Sequence, residues 1–523
     1  MSTTFAPNTS QPERASQPDS LRPRLVIGLT IAITAVVSII AYIYFAQKGL
    51  TLSYKDAISH LQITGRVLTA EPKDAPAQFG GVWLPLQHIL MLPFAWITPL
   101  YFNGFAGSLI SMISYVVLCV YMYKIVLGLS DKQIPAIIAV VIVALNPNIL
   151  YMQSTPMTEL LLFATIAALV FHTQQWIQTN SYPHLFAAGL AAALGCLTRY
   201  EAWVLTFVFA VIVTIVALRR GGRKYADGAF WGFTFLAAVS AVGWVIWNQV
   251  IFGNALNFQF GEYAKPALWV GEDEPALGHL SVAIKAYWYA VEGNLGIATI
   301  VLALAGLVAL AWRRHLDVLP VFGLLVMIPF FIFALEQGQR PLHVMQINGD
   351  LYNVRFGLLM IIPAAIAIGY LASIFKSPAW STVMLFGASA ATALIAMGGL
   401  SDAVTVREPV AYIEKGSDEP LKPTSEFLSQ NYDGGKILME SFGNETILFD
   451  AEISLANNVY EGTYKKWEPA LKDPAANEIT WIVMRQGNNP DKVFQELHSS
   501  EQLSGYALAY ENATYKVFKR EIR

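Results

Sequence analysis

The residues best suited to chemistry stand at the edges of long apolar runs. Asp56 and His60 are four positions apart and share one face if Tyr54–Leu68 is helical. Gln153, Thr155 and Glu159 fall between two apolar runs, and Arg199 and Glu201 interrupt another. Arg340, His343, Asp350, Asn353 and Arg355 crowd a loop that leads straight into an apolar run. A carboxylate with an imidazole one turn away suits general-base work. The same pair could begin a metal site, but no third ligand stands at a recognisable spacing; a divalent metal is therefore not supported, and no other cofactor is implied.

An ionisable group at a membrane boundary is costly and marks a functional site by default. Four segments bringing such groups to one face imply a polar cavity just under a membrane surface. The plain alternative for each charge is a solvated loop residue or a side chain snorkelling from a helix end. That alternative is the better reading for Lys48, Lys73, Lys265 and Glu272–Glu274, and His88 reads as a packing residue.

The surrounding composition says what must position these groups. Of 523 residues, 55% are hydrophobic and 14% charged, and the mean hydropathy is +0.46. A soluble domain carries about 25% charged residues, so this chain cannot cover its own apolar surface with charge. Apolar runs of about 20 residues, the length that crosses a bilayer core, recur between short charged stretches. A soluble enzyme and a disordered chain are excluded. The net charge of −3 offers no basic footprint, so no nucleic-acid partner is expected. The two cysteines, Cys119 and Cys196, lie in apolar runs and provide no disulfide framework.

Residues 1–23, rich in Ser, Thr, Pro and Gln, read as a disordered cytoplasmic tail. Eleven spans are expected, at about 25–46, 104–126, 133–151, 159–177, 184–203, 204–218, 228–251, 295–312, 317–335, 356–375 and 378–398. The first outer loop, 47–103, holds a Pro-interrupted interfacial segment at 83–99. Lys124, Lys132, Arg219, Arg220, Arg223, Lys224, Arg313, Arg314 and Lys376 fall in alternate short loops, which places those loops in the cytoplasm. The loop 252–294 is acidic and falls outside, and an odd number of spans puts the C-terminus outside too. Residues 400–523 turn polar, with short β-type runs such as Ile479–Met484 between amphipathic stretches near 407–430 and 491–499. They read as a small α/β domain on the outer face of a helical membrane domain, 24–399, in the cell membrane.

In series, several segments resemble a known family. They are Asp56-Ala57-Ile58-Ser59-His60-Leu61, Gly81-Val82-Trp83-Leu84-Pro85-Leu86, Asn146-Pro147-Asn148, Thr155-Pro156-Met157-Thr158-Glu159 and Leu197-Thr198-Arg199-Tyr200-Glu201. Together they are similar to the ordered landmarks of GT-C superfamily membrane glycosyltransferases, of the protein O-mannosyltransferase and lipid A aminoarabinose transferase type. The resemblance implies an inverting transfer of a hexosyl or pentosyl group from a polyprenyl-phosphate sugar to a glycan, lipid or protein acceptor at the outer leaflet. It also implies that the acid of the first outer loop, here Asp56, is the catalytic base, where many members carry two acids and this chain has Lys55 beside one.

The chemistry of such a transfer agrees. A hydroxyl attacking an anomeric carbon needs a base, Asp56 or alternatively His60, which could instead orient Asp56. Arg199 and Arg355, backed by Arg340, would stabilise the charge growing on the departing phosphate. Glu159 and Glu201 would orient sugar hydroxyls or hold an arginine in place, and His343 would complete the substrate-binding set. Two other readings compete: a transporter or flippase of a lipid-linked or anionic substrate, and a non-catalytic assembly subunit. Transport needs polar groups through the full membrane depth, and runs such as 295–312 have almost none.

Overall fold

A computed structural model of the chain describes residues 23–375 except Trp269, the stretches 400–414 and 421–521, and isolated positions between 377 and 387. The expected tail and the expected span 378–398 lie almost wholly outside the described residues. Apolar helices stand at each of the other expected spans. Six are long and apolar enough to cross a bilayer, or seven if the bent pair Leu280–Leu295 and Ile297–Trp312 counts as one crossing.

Three of these helices depart from the sequence reading, each for a local reason. The break expected within 184–218 falls at Leu197–Tyr200, between helices Tyr182–Cys196 and Glu201–Phe252. The latter runs 52 residues, about 78 Å at 1.5 Å per residue, too long for one crossing. It turns back at Gly222, whose φ of 69° is open to glycine at little cost. The acidic loop expected at 252–294 contains the helix Leu280–Leu295, which meets Ile297–Trp312 at 101° across Gly296.

The short helix Pro147–Met152 explains why the third span is broken. Asn146 accepts hydrogen bonds from the amides of Asn148 and Ile149 at 2.9 and 3.1 Å, with Pro147 in the first turn. The Asn146 and Asn148 side chains donate to the Asn294 carbonyl, and Asn148 accepts from the Thr405 hydroxyl. One Asn-Pro-Asn turn thus ties three distant segments at one end of the bundle.

The two ends differ in chemistry. At one, Lys132 reaches the Ser373 carbonyl, Arg220 that of Trp176, and Arg313 pairs with Asp317 at 3.0 Å. The other carries α2 (Lys55–Thr69), the Asn-Pro-Asn turn, the Leu197–Tyr200 turn and the loop before Val354, with the C-terminal domain against them.

That domain is a five-stranded mixed sheet in the order β2-β1-β3-β5-β4. Its strands are β1 (Lys436–Leu438), β2 (Asn458–Val459), β3 (Ile479–Arg485), β4 (Tyr506–Glu511) and β5 (Tyr515–Arg520). Side chains alternate along β3: Trp481 and Val483 join one apolar cluster, Ile482 and Met484 the other, so helices cover both faces. The helix Val404–Glu414 is not part of this layer. Ala403 and Val406 sit in the core of the helical bundle, so this helix packs with the membrane helices.

Candidate active site

Asp56 lies in the first turn of α2, where a carboxylate meets the positive end of the helix dipole. Its Oδ2 is 2.5 Å from Arg355 Nη2, and its side chain keeps 40% of its exposure. Arg355 is by contrast buried, with Nε 3.0 Å from Glu159 Oε1 and Nη1 3.4 Å from Glu408 Oε1. The same Glu159 oxygen is 2.9 Å from Arg199 Nη1. Arg199 also donates to Thr158 Oγ1 and reaches Glu201 Oε1 at 2.8 Å. Glu159 and Glu201 each open a helix directly after a turn, which is how the sequence sets both acids at one level of the bundle.

A buried guanidinium without a partner would cost several kcal/mol; here each is offset by at least two carboxylates. Asp56 is the member of the cluster that water reaches most freely. The cluster opens into a cavity of about 840 Å³. Its helical side includes Asp56, His60, Arg199, Glu201 and Arg340, and its opposite side includes Ser441, Phe442, Glu445 and Tyr460 of the C-terminal domain. Arg340 faces this space and makes no hydrogen bond or ion pair among the described residues; enclosure by the cavity walls pulls its pKa down.

Two sequence-selected residues do other work. His60 lines the cavity, but its Nδ1 is 2.9 Å from His88 Nε2 and its ring lies 4.3 Å from that of Trp83. It does not hold Asp56; Arg355 does. Burial pushes the His60 pKa well below the ordinary imidazole value, with His88, Arg199 and Arg355 adding to the effect. His343 does not reach the cavity. It is clamped between Glu274 and Asp350, both at 2.9 Å, and bridges to Tyr352, fixing the loop that presents Arg340 and Arg355.

Glu408 was not selected from the sequence. It is buried beside Arg355 although it belongs to the polar C-terminal third of the chain. The available cue was its position between Val406 and Pro409, an acid on the apolar side of an amphipathic helix. Among the described residues no group of three or more His, Cys, Asp or Glu side chains could hold a metal ion. Asp56, Glu159 and Glu408 are each turned to an arginine instead.

The family model for dolichyl-phosphate-mannose-protein mannosyltransferase matches residues 93–247, which include Glu159, Arg199 and Glu201. No curated protein matches the chain by sequence. Among solved structures, ArnT from Cupriavidus metallidurans bound to undecaprenyl phosphate is similar at 11% identity and a TM-score of 0.58, covering 95% of this chain and 98% of that one. The Archaeoglobus fulgidus oligosaccharyltransferase tethered with an acceptor peptide is similar at 12% identity and a TM-score of 0.52, covering 88% of this chain and 69% of that one. The archaeal oligosaccharyltransferase AglB in complex with an inhibitory peptide and a dolichol-phosphate gives 12% identity and 0.50 over the same shares. Identities this low show architecture alone: the chain has the fold of these structures, a helical membrane domain carrying a small C-terminal sheet domain, as the resemblance in its sequence implies.

Proposed function

We propose that the protein is an inverting glycosyltransferase that moves a sugar from a polyprenyl-phosphate donor to an acceptor hydroxyl at the outer face of the membrane. The observation that carries the reading is the Asp56 carboxylate, the most exposed acid of the arginine cluster, open to a cavity that also holds Arg199, Arg340 and Arg355. The acceptor oxygen attacks the anomeric carbon and the bond from that carbon to the phosphate oxygen breaks. Asp56 takes the acceptor proton, and the electron pair leaves with polyprenyl phosphate. A phosphate leaving group needs positive charge rather than a second protonating acid. Arg340, without a carboxylate of its own among the described residues, is placed to receive it, with Arg199 and Arg355 behind.

The relatives support this choice of donor, since one solved structure holds undecaprenyl phosphate and another a dolichol-phosphate. The outer location rests on the basic residues gathered at the opposite end of the bundle. Trp96, 76% exposed after the helix Leu86–Ala95, is the kind of residue that would meet a lipid tail at the membrane interface. The C-terminal domain supplies the facing wall and with it the acceptor side. The test is release of undecaprenyl phosphate by the purified full chain from a panel of undecaprenyl-phosphate hexoses and pentoses, with a mixed glycan, lipid and peptide acceptor pool. Release that Asp56→Asn abolishes is expected. No release from any donor, or release indifferent to Asp56, overturns the reading.

A further inference from the structure

Glu408 sits where three segments meet. Its Oε1 accepts the amide of Asn353 at 2.8 Å and lies 3.4 Å from Arg355 Nη1. Its Oε2 accepts the amide of Val354 at 3.0 Å and lies 3.2 Å from the Tyr54 hydroxyl. That hydroxyl is also 2.9 Å from the Thr405 carbonyl, one turn before Glu408. The two amides belong to the opening of the helix Val354–Ile374, where N–H groups have no partner within the helix. Asn353 holds φ at +53°, a left-handed conformation that a non-glycine residue keeps only when its surroundings impose it. The Tyr54 ring lies 4.9 Å under the Arg355 guanidinium, and Tyr54 is the residue just before α2.

We infer that Glu408 is a positioning residue for the transfer: it clamps the start of the Arg355 helix to the start of the Asp56 helix and so sets the Asp56–Arg355 geometry. This rests on the proposed function for its catalytic consequence, but not for the clamp itself. Asp56 and Arg355 come from segments 299 positions apart, and direct contact between their side chains is a single hydrogen bond. Glu408 reaches both segments through backbone and ring neighbours, with Arg355 itself as a further contact. Burial of an acid is costly unless its hydrogen bonds are satisfied. The bonds here go to two backbone amides just before Arg355 and to the Tyr54 hydroxyl just before the Asp56 helix, rather than to the sheet domain. Glu408 is buried among fixed donors and does not line the cavity, so a role in touching substrate is not assigned to it.

The experiment compares wild type, Glu408→Gln, Glu408→Asp and Asp433→Asn in the full chain. Asp433 pairs with Lys519 on the exposed sheet surface and serves as the neutral control. Glutamine keeps the shape but turns an amide N–H₂ toward donors, so Glu408→Gln should lower kcat about 10- to 100-fold while KM for the donor stays within about threefold. Glu408→Asp keeps the charge and should recover part of that kcat. Hydrogen–deuterium exchange of the peptide holding Asn353 and Val354 should quicken in Glu408→Gln and not in Asp433→Asn. Unchanged kcat, a rise in KM that accounts for the whole loss, or unchanged exchange overturns the inference. If Glu408→Gln does not fold, Glu408→Asp decides by the same kcat and exchange readings. If the wild type transfers no sugar while exchange responds as stated, the transferase reading falls and the clamp stands.

Discussion

Arg355 Nη2 lies 2.5 Å from Asp56 Oδ2, although 299 positions separate the two residues. The guanidinium is buried and the carboxylate is open to the cavity, so the pair presents its negative end to an incoming group. Glu159 stands behind, sharing one oxygen between Arg355 and Arg199 at 3.0 and 2.9 Å. On the proposed mechanism, the base and the cations it needs are therefore placed by one charge network.

Asp56→Asn keeps the side-chain shape and removes the proton-accepting oxygen. Turnover should fall by about 10²–10⁴-fold, while binding of undecaprenyl phosphate, measured by thermal shift, stays close to wild type. His60→Ala should cost less, because the imidazole faces His88 and Trp83 rather than Asp56. An active Asp56→Asn beside a dead His60→Ala would reverse the two roles.

Arg355 and Arg340 should separate stability from chemistry. Arg355→Ala leaves Glu159 and Glu408 buried beside a lost cation, a defect that typically costs about 3–5 kcal/mol, so it should lower both Tm and activity. Arg340 makes no ion pair among the described residues, so Arg340→Ala should leave Tm within a few degrees of wild type and still lose turnover. A fall in Tm as large as that of Arg355→Ala would make Arg340 a structural residue.

The helical membrane architecture was legible because the information is local: a run of about 20 apolar residues bounded by charge reads without any knowledge of contacts. The strands β1, β3, β4 and β5 were legible for the same reason, whereas β2, two residues long, carries no pattern of its own. Asp56, Glu159, Arg199 and Arg355 stood out because charge at the edge of an apolar run is expensive. The partner of Asp56 was not legible. Whether Asp56 turns to His60 or Arg355 depends on side-chain direction across 299 positions, and the sequence spacing favoured the wrong neighbour. His343 and Glu408 show the same limit: one looked like a site residue and holds a loop, the other did not stand out in a polar stretch and is buried at the pair.

Orientation can be read by labelling single cysteines in intact cells. Cys119 and Cys196 are both buried, so the background is quiet. A cysteine at the exposed Ser504 should react with an impermeant reagent from outside, and one at the exposed Arg223 should not. The reverse pattern would put the cavity in the cytoplasm and remove the outer-face reaction.

The C-terminal domain should respond to pH through Asp491. Its carboxylate is buried and caps the helix Lys492–Leu497, accepting the amide of Phe494 at 2.9 Å and that of Arg485 at 2.8 Å. Burial is the largest influence on it and raises its pKa from 3.8 to about 6, against the lowering effect of those two amides. A carboxyl with a raised folded-state pKa holds its proton in the folded state over a range where the unfolded chain has lost it. Its contribution is therefore full below about pH 3.8 and fades as pH rises through about 6. Asp491→Asn keeps a capping side chain and removes the titration. The stability of the variant relative to wild type, followed by thermal unfolding of the full chain, should rise between about pH 4 and pH 6 and level off above. Glu461, whose pKa burial raises to about 7, remains in both proteins and cancels in the difference. A difference that is flat across this window, or that falls with pH, would mean that the capping amides outweigh burial and that Asp491 is charged in the folded domain throughout.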